Sequence, residues 1–352
     1  MSNVTNVATD WRSDRLAYTD THEAFREQVR RFLAKEMEEN GDRWEKEGLT
    51  DRSFWLRAGA QGLLSPQIPE QYGGLGLDVS YNFVVTEEIA YAGAPNAFQT
   101  HSDVVVDYLL HYGPEPLKQR WLSDTVSGKA VAAIAMTEPG AGSDLRGIRT
   151  MARRDGDHFV VNGSKTYISN GQNADFAIVA LRTELNERSL SLLLIETDRP
   201  GYRRGRKLDK IGQHSADTSE LFFDDVRVPV ANLIGEEGRG LNMMISQPPQ
   251  ERLSIAIASQ AGTQRAFDEA VAFTRDRQVL GKTVLDFQNT RFSLADIKAH
   301  LQVGWAHIDW AIARTSRESS PPKRLPRPSS GMRKPNGNPS IPRCNCTAGR
   351  AT

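Results

Sequence analysis

Residues 130–161 read AVAAIAMTEPGAGSDLRGIRTMARRDGDHFVV. The apolar run 130–135 has the texture of a strand, and a Gly-rich turn flanked by the hydroxyls of Thr137 and Ser143 follows it. A dinucleotide fingerprint sets its glycines between a strand and a helix N-terminus, where the helix dipole meets a phosphate. Here the glycines lead into a second strand pattern, so the dipole explanation fails. What remains is a loop whose backbone can be approached closely, because Gly140 and Gly142 carry no side chains. Such a loop suits a flat heteroaromatic ring with several carbonyls, such as a flavin. Taken alone, the same residues also read as a plain β-turn.

The surroundings divide into blocks. Residues 20–127 read as helical. Asp20 stands as an N-cap with Glu23 at capping-box spacing, and Phe25, Val29, Phe32 and Leu33 make one apolar stripe. Pro66, Pro69 and the Gly73–Gly74 pair break the pattern, and helices resume over 79–91, 97–112 and 114–127. From 130 to 235 short Val-, Ile-, Phe- and Tyr-rich runs alternate with turn signals. The stretch HFVVNGSKTYIS (158–169) reads as two strands about Asn162–Gly163. Helical periodicity returns over 240–276, and again from near Thr283 to Arg314. Strands gathered in one block, not alternating with helices, predict an α+β fold. Its expected parts are an N-terminal helical domain (1–127), a middle β-domain (128–236) and a C-terminal helical bundle (237–314). A Pro-, Ser- and Arg-rich tail (315–352) follows.

Composition narrows the function. The 352 residues carry 44 basic and 44 acidic side chains, which gives no electrostatic case for nucleic acid or an anionic membrane. No apolar run is long enough to span a bilayer. The polar N-terminus resembles neither a secretory signal nor a transit peptide. Cys344 and Cys346 both fall in the tail, so residues 1–343 contain no disulfide or thiolate metal site. The expected compartment is a reducing cytoplasm. The seven histidines show no metal-ligand spacing.

Four stretches, MTEPGAGSD (136–144), NGSKTYISNG (162–171), DTSELFFDDVRVPVANLIGEEGRG (217–240) and DRQVLGKTVLDFQ (276–288), occur in order. Together they resemble the acyl-CoA dehydrogenase family from about residue 20 to about residue 313. The resemblance implies an FAD enzyme that desaturates an acyl-CoA thioester and passes electrons to electron-transfer flavoprotein. It implies that Met136, Thr137, Gly142 and Ser143 hold the flavin ring, with Ser143 also touching the CoA arm. Tyr167, Ile168 and Ser169 stand where the family usually has Trp-Ile-Thr beside the flavin. Arg277 matches an arginine that reaches the FAD diphosphate of a neighbouring subunit, which implies a homotetramer, and Gln288 matches a glutamine beside it. Read alone, Arg277 is a solvated helix-end cation. An acyl-CoA oxidase or flavin monooxygenase on the same fold, or a non-catalytic product, are the alternatives.

Desaturation needs a carboxylate to take the α-proton of the thioester. The family's usual C-terminal Tyr-Glu-Gly-Thr stretch is absent. PPQERLSIAIASQAG (248–262) instead resembles the long-chain and isovaleryl branches, whose base precedes an arginine on the first C-terminal helix. That position is Glu251, followed by Arg252 as a substrate-binding residue. Without the resemblance, Glu251 is an ordinary first-turn acid. Glu138 belongs to the flavin loop in that pattern. In the tail, Cys-Asn-Cys-Thr-Ala-Gly (344–349), shifted by one base, is compatible with the family's Leu-Gln-Leu-His-Gly-Gly. It points to a frameshift near 314, which would leave the bundle truncated, its apolar face uncovered and activity impaired. A basic disordered tail is the other reading.

Overall fold

Thr19 starts the first helix, α1 (Asp20–Glu47). The computed structural model describes residues 11–12, 15–183, 189–246 and 248–319, so the two cysteines and nearly all of the tail lie outside the described residues. The Thr19 N–H donates to His22 Nδ1 at 3.2 Å, so the capping box sits one residue earlier than Asp20 and Glu23 suggest. Glu23, displaced from capping, pairs with Arg26 at 3.1 Å. Val29 and Leu33 are buried and Phe25 and Phe32 partly so, against Phe54, Trp55, Val85, Ile89 and Phe98. These partners come from α2 (Arg52–Ala60), α3 (Ser80–Ala92) and α4 (Ala97–Gln99). The stretch expected as one helix over 97–112 contains a π-helical turn, Thr100–Val105, before α5 (Val106–Tyr112). Helix α6 (Glu115–Val126) closes the helical block.

The β-block holds β1 (Ala132–Ala135), β2 (Met151–Asp155), β3 (His158–Ser169), β4 (Phe176–Thr183), β5 (Leu190–Glu196), β6 (Tyr202–Lys207), β7 (Thr218–Pro229) and β8 (Leu233–Ile234). They form one sheet in the order β6-β7-β3-β2-β4-β5-β8, with β1 also on β4. The sheet is mixed: β1 and β2 run parallel to β4, and the other pairs are antiparallel. Every residue of β5 is buried, because β4 and β5 separate two cores. Ile178, Leu192 and Leu194 face Tyr108, Leu109 and Leu122 of the helices, while Val179, Leu193 and Ile195 face Phe159, Val161 and Val226 of the sheet. A strand buried on both sides reads as a continuous apolar run, which is what LSLLLIE shows.

The hairpin expected about Asn162–Gly163 does not form. Residues 158–169 are one strand with a bulge, and the turn lies earlier, between Asp155 and His158. Asn162 explains this, since its amide side chain holds both the backbone N–H (3.0 Å) and the carboxylate (2.9 Å) of Asp225 on β7. A Cβ at Gly163 would fall 2.5 Å from Thr150 Oγ1, so the glycine answers to close packing and not to a tight turn.

The helix expected over 240–276 is two, α7 (Gly240–Ser246) and α8 (Pro248–Asp276). The next does not begin near Thr283. Two short strands, β9 (Gln278–Val279) and β10 (Lys282–Thr283), and a 3-10 turn come first. Thr283 caps that turn through Asp286 at 2.8 Å, and α9 then runs Gln288–Ser319, beyond Arg314. Leu253, Ile257 and Ala261 of α8 pack with Trp305, Ile308 and Ile312 of α9 and with Phe83 of α3.

Candidate active site

Two strand ends meet at one corner of the sheet. Thr166 donates its backbone N–H to the Thr137 carbonyl at 3.0 Å, and Lys165 Nζ donates to the Met136 carbonyl at 3.0 Å. The buried Glu138 fastens the loop between them. It accepts from Lys165 Nζ (2.8 Å), Thr150 Oγ1 (2.6 Å) and the N–H groups of Arg149 (2.7 Å) and Thr150 (3.0 Å). Burial alone would raise the Glu138 carboxyl, but these bonds hold it below its ordinary range. Burial pulls the Lys165 ammonium down to about 8 against that pairing. Glu138 is thus a fastener committed to four donors, and Lys165 is a buried cation that sequence reading passed over.

Past Glu138 the loop is exposed. Glu138 and Ala141 exchange backbone bonds of 2.8 and 3.1 Å. The N–H groups of Gly142 and Ser143 find no acceptor among the described residues, so they are free for carbonyl groups of a ligand. A Cβ on Gly140 or Gly142 would meet nothing within 4 Å, and neither has a positive φ. The fold does not require glycine here; only a close approach from outside does. Gly142→Val is therefore expected to leave thermal stability unchanged within about 0.5 kcal/mol while lowering the flavin retained after purification. Equal flavin content in the two proteins would remove the loop from the site.

Tyr167 stands on the other strand end with φ 59° and its side chain 69 % exposed, in the irregularity between Lys165 and Ile168. A bulky residue in the left-handed region costs on the order of 1–3 kcal/mol and persists only where its surroundings impose it. Those surroundings are visible. Ile168 is buried, Ser169 pairs with Thr218, and Asn170 sends its amide to the carbonyls of Ala97 (3.0 Å) and Ala132 (3.3 Å). The strained bulge turns an aromatic ring outward beside Thr137.

The same corner reaches α8. Two residues after Ala97, Gln99 Nε2 donates to Ser254 Oγ at 2.9 Å, and Ser254 in turn donates to Asp103 Oδ2. Glu251 lies one turn before Ser254 and is half-buried, with Oε1 enclosed and unpartnered. Burial raises its carboxyl above the usual range; the Asp107 charge adds to this, and Tyr108 and Arg252 oppose it. The buried Tyr108 hydroxyl also lacks a formed bond, though each group shifts the other. Arg252 is exposed.

Sequence reading missed the acids beneath this turn. Asp103 accepts from Thr86 (2.8 Å) and Asn82 (3.1 Å), and Asp107 from Gln67 (3.0 Å) and Gln250 (2.6 Å). Burial pushes both up to about 6. The signal was present: two acids four apart in the otherwise apolar run SDVVVDYLL.

Arg277 and Gln288 are exposed at the far end of α8. At 1.5 Å per residue, the stretch of α8 from Glu251 to its last residue, Asp276, is about 38 Å long, and Arg277 follows it. Within one chain they lie at the opposite end of α8 from Glu251.

Three family descriptions match the chain in order: acyl-CoA dehydrogenase N-terminal domain (residues 19–129), middle domain (133–226) and C-terminal domain (238–327). Long-chain specific acyl-CoA dehydrogenase, mitochondrial, of Sus scrofa is 41 % identical over 300 residues, which are 84 % of this chain and 70 % of that protein. Isovaleryl-CoA dehydrogenase, mitochondrial, of Pongo abelii is 34 % identical over 256 residues, 71 % of this chain and 60 % of its own. An acyl-CoA dehydrogenase structure from Geobacillus kaustophilus superposes with a TM-score of 0.84 at 42 % identity, covering 87 % of this chain and 82 % of that one. A glutaryl-CoA dehydrogenase from Mycobacterium smegmatis, solved in complex with FADH2, gives 0.80 at 25 % identity, covering 87 % and 78 %.

Proposed function

The chain belongs to the acyl-CoA dehydrogenase family, and on that footing we propose that it converts an acyl-CoA thioester to the trans-2-enoyl-CoA with FAD as cofactor. An oxidoreductase acting on acyl-CoA is what the family shows; the site residues and the partners belong to the proposal. The observation that carries it is the half-buried Glu251 carboxyl, with Oε1 enclosed and unpartnered and its proton affinity raised, on a turn that Gln99 holds through Ser254.

The corner fits a flavin. It offers free N–H groups at Gly142 and Ser143, an open glycine surface and an outward aromatic ring at Tyr167. Met136, Thr137, Ile168 and Ser169 complete the residues that would hold the ring, and Ser143 and Arg252 would meet the substrate. When bound, FAD supplies the acceptor for the β-hydride. Glu251 takes the α-proton. A base works best when its pKa lies near the working pH, and burial moves Glu251 in that direction. The test is anaerobic addition of acyl-CoA thioesters of graded chain length to the flavin-loaded protein. Loss of the flavin's visible absorbance supports the reading; no bleaching with any of them overturns it. Electron-transfer flavoprotein is the proposed acceptor, and re-oxidation of the bleached enzyme by that protein but not by oxygen separates a dehydrogenase from an oxidase. Among the described residues, no helix is long and apolar enough to cross a membrane.

The proposal includes a homo-oligomer. Helices α8 and α9 expose Ile255 (58 %), Phe273 (63 %), Phe292 (65 %), Val303 (70 %) and Trp310 (59 %), and Arg277 needs a second chain if it is to reach a diphosphate. Such an apolar face favours association. Sedimentation is expected to show mass above the monomer's that falls when Phe292 and Val303 are replaced by Lys. A monomer at all concentrations would refute this.

A further inference from the structure

Asp107 is only 4 % exposed, and no Lys or Arg pairs with it among the described residues. A buried carboxylate without a cation costs stability that only its hydrogen bonds offset. Its two bonds are informative. Oδ1 accepts from Gln67 Nε2 at 3.0 Å, and Gln67 Nε2 also donates to the Ser102 carbonyl at 3.1 Å. Oδ2 accepts from Gln250 Nε2 at 2.6 Å, and Gln250 immediately precedes Glu251. One turn on, Ser254 is held by Asp103. The first turn of α8 is therefore gripped at 250 and at 254, with Glu251 between the two grips.

We propose that Asp107 is a positioning residue: held by Gln67 and bonded to Gln250, the residue before Glu251, it fixes the turn that carries Glu251 and sets a negative charge next to it. This rests on reading Glu251 as the base. The groups that act on Glu251 are Asp107 and Tyr108 from α5 and Arg252 from its own helix, and Asp107 also raises the carboxyl of Asp103 on the π-helical turn. Asp107 pushes the Glu251 carboxyl up; Tyr108 and Arg252 pull it down.

Asp107→Asn keeps the side-chain shape and removes the charge, whereas Gln250→Met removes the grip and keeps the charge. The experiment uses the flavin-loaded full chain with 13C-carboxyl-labelled glutamate, the Glu251 resonance being assigned by its loss in Glu251→Gln. Asp107→Asn is expected to lower the Glu251 titration midpoint, because a neighbouring negative charge is removed. Gln250→Met is expected to leave the midpoint in place and to slow flavin bleaching at saturating acyl-CoA by about tenfold or more, with KM little changed. An unmoved midpoint in Asp107→Asn overturns the charge effect, and a parental saturating rate in Gln250→Met overturns the grip. If the parent protein bleaches with no acyl-CoA, the reading of Glu251 as base fails, while the midpoint still decides whether Asp107 acts on that carboxyl.

Discussion

Glu251→Gln is expected to abolish acyl-CoA-dependent bleaching of the flavin, with a loss of about 10²–10⁴-fold or more, while flavin content stays at the parental level. The substitution preserves size and removes the group that accepts the proton. The other carboxylates of the described site are already engaged, since Glu138 holds four donors, Asp103 three and Asp107 two. Stability should move the other way. The folded state raises the Glu251 carboxyl, so its favourable contribution is complete below the ordinary carboxylate range and is lost as pH rises through the folded value. At neutral pH the amide avoids burying that charge, and Glu251→Gln is expected to melt no lower than the parent. Stopped-flow bleaching and thermal melts at several pH values check both statements. Bleaching within tenfold of the parent would exclude Glu251 as the base.

The second large effect lies away from the chemistry. Glu88→Gln is expected to cost about 3–5 kcal/mol of stability, the usual loss when one partner of a buried ion pair is removed. Glu88 is 2 % exposed and receives Arg12 through Nε (2.8 Å) and a second nitrogen (3.2 Å), and Arg26 at 2.9 Å. Arg26 also pairs with Glu87, which receives Arg15, and Arg15 reaches Asp309 on α9 at 2.6 Å. The network ties the segment before α1 to α3 and α9. Burial raises the Glu88 carboxyl, but the two arginines outweigh it and the net shift is downward. A depressed folded value means the contribution is present above the unfolded value of about 4.3 and is lost as pH falls through the folded one. The gap between parent and variant should therefore be full at neutral pH and shrink in acid. Chemical denaturation at several pH values measures it. A gap below about 1 kcal/mol at neutral pH, or one that widens in acid, would contradict the network.

Much of the organisation was legible in local patterns. Only a three-residue 3-10 turn, Leu145–Gly147, stands between Gly142 and β2, so the absence of an α-helix there excluded a helix-dipole phosphate site and placed the loop within a sheet. The spacing of Val29 and Leu33, and of Leu253, Ile257 and Ala261, marked core faces that are buried or partly buried in the fold. The resemblance pointed to Thr137 and Tyr167, which lie next to the paired Thr137–Thr166 strand ends, and to Glu251 in the first turn of α8. Errors gathered where a short signal had a competing partner, distant or adjacent. Asn162–Gly163 resembles a hairpin turn, but Asp225, sixty-three positions on, straightens it into a bulged strand. Asp20 resembles a cap, but Thr19 with His22 takes the role.

Residue type and spacing determined the kinds of element, the apolar faces and the set of groups able to do the chemistry, because these depend on neighbours within a few positions. Tertiary structure decided which groups are buried, strained or paired. Tyr167 is left-handed because β3 is pinned on both sides of it. Glu251 has a raised proton affinity because α5 lies against the first turn of α8, and Asp107 meets Gln250 across 143 positions of chain. Burial and electrostatic fields are set by whatever the fold brings near, and no local pattern carries that information.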